Sequence, residues 1–291
     1  MMTPPAINNW GRWGADDQIG ALNLMTSERI LAAMRLVTRG KLYNLAVPLE
    51  KDGPQFPAFH KTWCVTHYTD NRERGAVNFA DDVVTMETHS GTHMDGIGHC
   101  WTDGTMWNGR DSARATSYGL EWAGIHNVPG IVGRGVMLDL PRFRGVPHLG
   151  LGEVATVEMM EGAARAQGVD IRPGDVLLLR TGWYTVFQSD RTLWDQGQPG
   201  PDPSCTGWLK AKDVIALGAD SAGVEATVFA KRSATTPRLH TTALRDLGVY
   251  LIEHLDLEAL ARDRVYEFLF VAAPLKLMRA TGAPFAPLAF V

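Results

Sequence analysis

Apolar residues Ile30, Met34 and Val37 recur at the spacing of one helical face, Thr26 or Ser27 can cap that helix, and Gly40 can end it. Past residue 40 the pattern becomes mixed. The runs Leu42 to Val47 and Val83 to Thr88 predict strands, and Ile131 to Leu140 is apolar enough to be a buried one. Thr156 to Gln167 reads as a helix closed by Gly168, followed by the turn Arg172-Pro-Gly-Asp175 and a buried strand from Val176 to Thr181. Further along, the pattern predicts a helix through Gly207 to Leu217, a short helix at Thr241 to Leu247, a strand at Val249 to Glu253, a helix opened by Asp256, and a strand at Tyr266 to Ala272. Helices and strands alternate rather than segregate, which predicts an α/β layered domain.

No repeat, low-complexity tract or linker interrupts the chain. Its 291 residues therefore read as an N-terminal arm and helix, 1–40, and one catalytic domain, 41–291. Composition is that of an ordinary globular protein, 45% hydrophobic and 21% charged, and the net charge of −4 has no basic cluster to attract nucleic acid or a membrane surface. A small-molecule substrate is the expected partner. The start lacks a basic segment followed by an apolar core, and the apolar run from Phe268 to Met278 is broken by Pro274 and Lys276. Cys64, Cys100 and Cys205 are odd in number and far apart, so no disulfide framework is expected and a cytoplasmic location is.

The chemistry concentrates in His89-Ser-Gly-Thr-His93-Met-Asp95-Gly-Ile-Gly-His99. Three of the nine histidines and an aspartate fall within this segment. Its glycines and threonines disfavour a helix. In a fully extended strand His89 and His93 would stand roughly 13 Å apart, too far to share one ion. Ser90-Gly91 must then turn the chain. Imidazoles with a carboxylate suit zinc, manganese or iron(II), whereas calcium would want mostly oxygens. Taken singly, each of these residues is an ordinary polar loop residue; together they predict a metal centre.

The segment resembles the HxGTHxDxPxH signature of the cyclase family of metal-dependent hydrolases, which includes kynurenine formamidase and isatin hydrolase. Arg172-Pro-Gly-Asp-Val-Leu-Leu-Leu-Arg-Thr-Gly-Trp183 and Leu217-Gly-Ala-Asp220-Ser are similar to two further family stretches, and His240 with Glu253 resembles the distal pair that completes the site. The arm around Trp13-Gly-Ala-Asp-Asp is similar to that of the longer bacterial members. Two departures are Ile97 in place of Pro and a longer interval between His240 and Glu253.

The resemblance implies a swivelling β/α/β domain with a mixed, barrel-like sheet. It implies that His89, His93 and Asp95 bind a first divalent ion, Mn2+ or Zn2+, and that Asp95 bridges to a second held by His99, His240 and Glu253. With one ion only, His99 is free to act as a base, as is Glu253 if it stays off the metal. The implied reaction is hydrolysis of an amide, lactam or lactone by metal-activated water. The alternatives are a lyase or cyclase using the same ion and, more remotely, a metal-dependent binding module. A homodimer or homotetramer is implied as well.

No G-x-S-x-G elbow supports a serine nucleophile. Cys100 follows His99 directly, and neighbours in an extended segment are expected to point apart. Phe56, Phe59, Trp63, Trp101 and Trp107 flank the motif in sequence; Phe59, Trp63 and Trp101 are taken as substrate contacts, which predicts an apolar or aromatic substrate. Trp10 and Trp13 sit on an arm able to reach a neighbouring subunit. His60, His67, His126, His148 and His254 are expected to be structural or surface residues.

Overall fold

The structure is a computed structural model that describes residues 5–56, 64–67, 82–233 and 238–291. Its centre is one mixed sheet of nine strands: β1 (Leu42–Asn44), β2 (His93–Asp95), β3 (Ile131–Asp139), β4 (Val176–Arg180), β5 (Ala216–Ala219), β6 (Tyr250–Glu253), β7 (Glu267–Ala272), β8 (Gly282–Pro284) and β9 (Leu288–Phe290). Their order across the sheet is β1-β9-β7-β3-β4-β5-β6-β2-β8. The four central strands, β3 to β6, run parallel, and antiparallel strands flank them on both sides. This is the expected α/β class with a mixed sheet.

The parallel core explains the unbroken apolar runs. Val176, Leu177, Leu178 and Leu179 are all fully buried, because helices and loops cover both faces of a parallel sheet. Each such side chain contributes roughly 1.5–3 kcal/mol of burial. The helix Val157–Gln167 is defined by its ends: the Thr156 hydroxyl accepts from Met159 N, and Gly168 stops the helix at φ 69°.

Three expectations about elements need correction. The helix expected through Leu217 ends at Lys212, where Asp213 turns left-handed at φ 54°, and Ala216–Ala219 is strand β5 between β4 and β6. Short buried apolar runs do not distinguish strand from helix by period, and the two neighbouring parallel strands decide. The helix Ser27–Met34 is capped by Thr26 as expected, yet Met34 is 54% exposed and Ala33 is the residue it buries. Trp183–Ser189 forms a helix that the sequence pattern did not suggest.

Two family-like stretches meet at the carboxyl ends of β4 and β5. Asp220 accepts from Thr181 N and Gly182 N at 2.8 Å and from the Thr181 hydroxyl, joining the two strand ends. Burial pushes this carboxyl up to about 6. Trp10 and Trp13 pack against the core of their own chain, and Trp10 Nε1 donates to Arg245 O at 2.7 Å.

Candidate metal centre

The segment that carries the motif folds as a turn followed by a short strand. Ser90 N donates to Glu87 O at 3.2 Å, and Gly91 N to Pro54 O at 3.0 Å. Gly91 takes φ +60°, and a Cβ there would run into Leu49, so this turn needs glycine. β2 begins two residues later. The period of a strand sets His93 and Asp95 on one face and the fully buried Met94 on the other. The register aligns His93 with Glu253 across the β2–β6 ladder. A ligand-type residue at the carboxyl end of a parallel strand thereby faces the motif, the usual position of ligand sites in open α/β sheets.

His89 reaches the same point from the turn, so close to β8 that a Cβ on Gly282 would lie 2.5 Å from its Cε1. His240 arrives from the residue just before the π-helical segment Thr241–Leu247, an irregular helix type that recurs at functional sites. His99 stacks on His89 with ring centroids 4.2 Å apart. All six predicted residues, His89, His93, Asp95, His99, His240 and Glu253, line one cleft of about 240 Å³. Their donor atoms fall into overlapping groups spanning no more than 4.8 Å: His89, Asp95 and His99; His93, Glu253 and His254; Asp95, His240 and Glu253.

Distances within the cluster are short. His89 Nδ1 stands 2.6 Å from Asp95 Oδ1, and His240 Nε2 stands 3.0 Å from Glu253 Oε1 and 3.7 Å from Asp95 Oδ2. His93 Nδ1 donates to Gly91 O at 2.8 Å, which turns Nε2 into the cluster. That Nε2 lies 3.2 Å from Glu253 Oε2 and 3.5 Å from Asp95 Oδ1. Attraction is available at those distances, yet His93 Nε2 and Asp95 Oδ2 are buried and neither has an aligned hydrogen bond. Buried polar atoms rarely stay unpartnered. A divalent cation would satisfy both, so the donor set fits a metal ion.

Electrostatics point the same way. Burial alone would push the His93 imidazole down, but the Glu253 and Asp95 carboxylates raise it to about 10. His240 is likewise held well above its ordinary value, against burial, by Glu225 and Glu253. Burial and the Asp95 charge would raise the Glu253 carboxyl, and His93 with His240 bring it down to about 2. Asp95, despite complete burial, is held well below the usual carboxylate range by His99 and His89. The residues thus gather positive charge where an ion would sit.

Several residues stand elsewhere than expected. Trp101 is 39% exposed and is not part of the cleft lining. Trp107 is buried in the core, 6.2 Å from the Trp13 ring, with Nε1 donating to Asp17 O. Phe59 and Trp63 lie outside the described residues, while Phe56 does line the cleft. Cys100 shares the cleft with His99, because the chain there is irregular rather than extended. Its thiol is lowered by His99 against the opposing effect of burial. His254 is buried, with its ring 5.8 Å from that of His93, and burial together with His93 lowers it to about 3.

Sequence reasoning missed Glu225. Its Oε1 accepts from His240 Nδ1 at 2.9 Å and its second oxygen from Leu239 N, fixing the ring so that Nε2 faces Glu253 and Asp95. A ligating imidazole usually needs such a partner. Nothing in the local sequence distinguishes Glu225 among 32 acidic residues.

Comparison with known proteins places this geometry in context. Residues 43–226 match the family described as putative cyclase. A kynurenine formamidase from Geobacillus thermodenitrificans (strain NG80-2) is 27% identical over 212 residues, 73% of this chain and 79% of that protein. A solved structure described as a novel cyclase has a TM-score of 0.90 at 33% identity and covers 98% of both chains. Isatin hydrolase A from Labrenzia aggregata, bound to benzyl benzoate, has a TM-score of 0.65 at 22% identity over 92% of this chain and 98% of that one, a likeness of fold.

Proposed function

The chain belongs to the putative cyclase family, and from that premise we propose that it is a metal-dependent hydrolase that opens an amide, lactam or lactone bond of a small, apolar or aromatic substrate. The observation that carries this reading is the buried pair His93 Nε2 and Asp95 Oδ2, without an aligned hydrogen bond, at the focus of six ligand-type side chains. The kynurenine formamidase relative supports amide chemistry.

When bound, a divalent ion, Mn2+ or Zn2+, would supply Lewis acidity for the carbonyl and for water. His89, His93 and Asp95 would hold it, with His240 and Glu253 near enough to complete its shell or to hold a second ion. Gly91 O and Glu225 keep the His93 and His240 rings turned toward the centre. His99, stacked on His89 at the cleft wall, would accept the proton released in the attack and return it to the leaving nitrogen or oxygen. Phe56 and Phe229, edge to face at 5.0 Å, would give the substrate an apolar wall. Assembly as a homodimer or homotetramer is part of the proposal, supported by the exposed apolar side chains Leu31 and Met34. So is a cytoplasmic location, supported by the free thiols of Cys100 and Cys205.

The test pairs elemental analysis of the purified protein with a hydrolysis screen of aromatic amides, lactams and lactones. We expect a first-row transition metal to co-purify, chelation to abolish turnover, and added Mn2+ or Zn2+ to restore it. Turnover that survives complete chelation would overturn the proposal. Oxygen from labelled water should enter the carboxylate product; its absence would mark a lyase instead.

A further inference from the structure

The cleft is not uniformly acidic. Its lining also includes Arg232, just after the 3-10 turn Phe229–Lys231, and Arg238, two residues before His240. Both arginines also line a second cleft of about 300 Å³, so they stand on the wall the two share. Arg232 lies over the Phe56 ring at 5.1 Å. Among the described residues neither guanidinium makes an ion pair. The carboxylate that lines both clefts, Glu225, is already engaged by Leu239 N and His240 Nδ1. The exposed Arg232 and the half-buried Arg238, without an ion pair among the described residues, present fork-shaped donors to whatever occupies the cleft.

Resting on the hydrolase reading, we propose that Arg232 and Arg238 form the anion-recognition end of this cleft. The substrate then carries a carboxylate in addition to the carbonyl that is attacked. The metal centre takes the reacting carbonyl, Phe56 and Phe229 flank the apolar body, and the arginine pair receives the anionic substituent.

Binding tests this without turnover. Titration calorimetry on the metal-loaded protein would compare benzoate, which has one carboxylate for the metal, with the 1,2-, 1,3- and 1,4-benzenedicarboxylates, which have a second at graded distance. We expect at least one dicarboxylate to bind roughly 10- to 100-fold more tightly than benzoate, an advantage reduced by added salt. In the double variant Arg232→Gln/Arg238→Gln that advantage should fall to about twofold, with metal content and melting temperature as the controls for folding. A dicarboxylate series no tighter than benzoate, or an advantage that persists in the double variant, would overturn the proposal.

A turnover arm separates this inference from the reading it rests on. 2-Formamidobenzoate and formanilide differ by one carboxylate, and the first should be preferred through a lower KM that the double variant loses. Hydrolysis of both with equal KM refutes the arginine site and leaves the hydrolase standing. Hydrolysis of neither, alongside arginine-dependent dicarboxylate binding, does the reverse.

Discussion

Two charge clusters lie toward opposite ends of the parallel part of the sheet, and they differ in whether the protein completes them. Toward the amino ends, Arg134 is 9% exposed and every guanidinium nitrogen is engaged: Nε with Glu267 at 2.6 Å, Nη1 with Asp175 at 2.7 Å, and Nη2 with Asp170 O at 2.9 Å and its carboxylate at 3.0 Å. Asp175 also accepts from Arg172 N. At the carboxyl end the carboxylates of Asp95 and Glu253 are buried more deeply than those of Asp170 and Glu267, yet His93 Nε2 and Asp95 Oδ2 lack an aligned hydrogen bond. A saturated network holds the fold together. An unsaturated one has a stability cost that makes sense only if something else completes it.

The largest test of that contrast is His93→Ala. Losing the imidazole whose Nε2 faces the cluster should remove bound metal and lower kcat/KM by about a thousandfold or more, with the secondary structure retained by circular dichroism. A variant within tenfold of wild type would mean that the unsaturated cluster is not the reaction centre. Next in size is Arg134→Met. It strands the buried Asp175 carboxylate and should destabilise by about 3 kcal/mol in denaturant unfolding while leaving kcat nearly unchanged. Loss of activity without loss of stability would erase the distinction between the two ends.

Glu225→Gln keeps the shape of the His240 partner and removes its charge. Metal affinity should fall by about 10- to 100-fold, read by competition with a chelator, with little change in melting temperature. Unchanged affinity would reduce Glu225 to a packing residue.

The smallest effect is a pH dependence. His93, raised to about 10 from an ordinary 6.5, contributes stability to the metal-free protein that is fully present below 6.5 and lost as pH climbs through 10. Glu253, lowered to about 2 from an ordinary 4.5, contributes stability present above 4.5 and lost as pH falls through 2. These two groups therefore favour the chelated protein most between 4.5 and 6.5. Metal must displace the His93 proton, so the gain in melting temperature on loading should grow from pH 6 to about 9. A gain that stays flat across that range would mean that His93 is no ligand.

Much of this was legible along the chain. The helix Val157–Gln167 carries its own cap residues, the buried strands β3 and β4 announce themselves as apolar runs, and the ligand-type residues of the motif are local in sequence. The need for a turn at Ser90-Gly91 followed from the extended length of a strand. Strand β5 was not legible, because four buried residues after a helix carry no period that separates strand from helix. Trp101 was misplaced for a related reason. Proximity in sequence to a motif says nothing about which way a side chain turns.

What the sequence determined by itself was therefore the cluster of ligand-type residues from His89 to His99 and the local geometry that spaces them, since glycine freedom and strand period are properties of short segments. What only the tertiary structure decided was the match across β2 and β6 that brings Glu253 to His93, the delivery of His240 and its Glu225 partner, and the arginines in the lining of the cleft. Those are contacts between residues up to 160 positions apart in the chain, from His93 to Glu253. They depend on sheet order and register, which follow from the burial of the whole core rather than from any single stretch of residues.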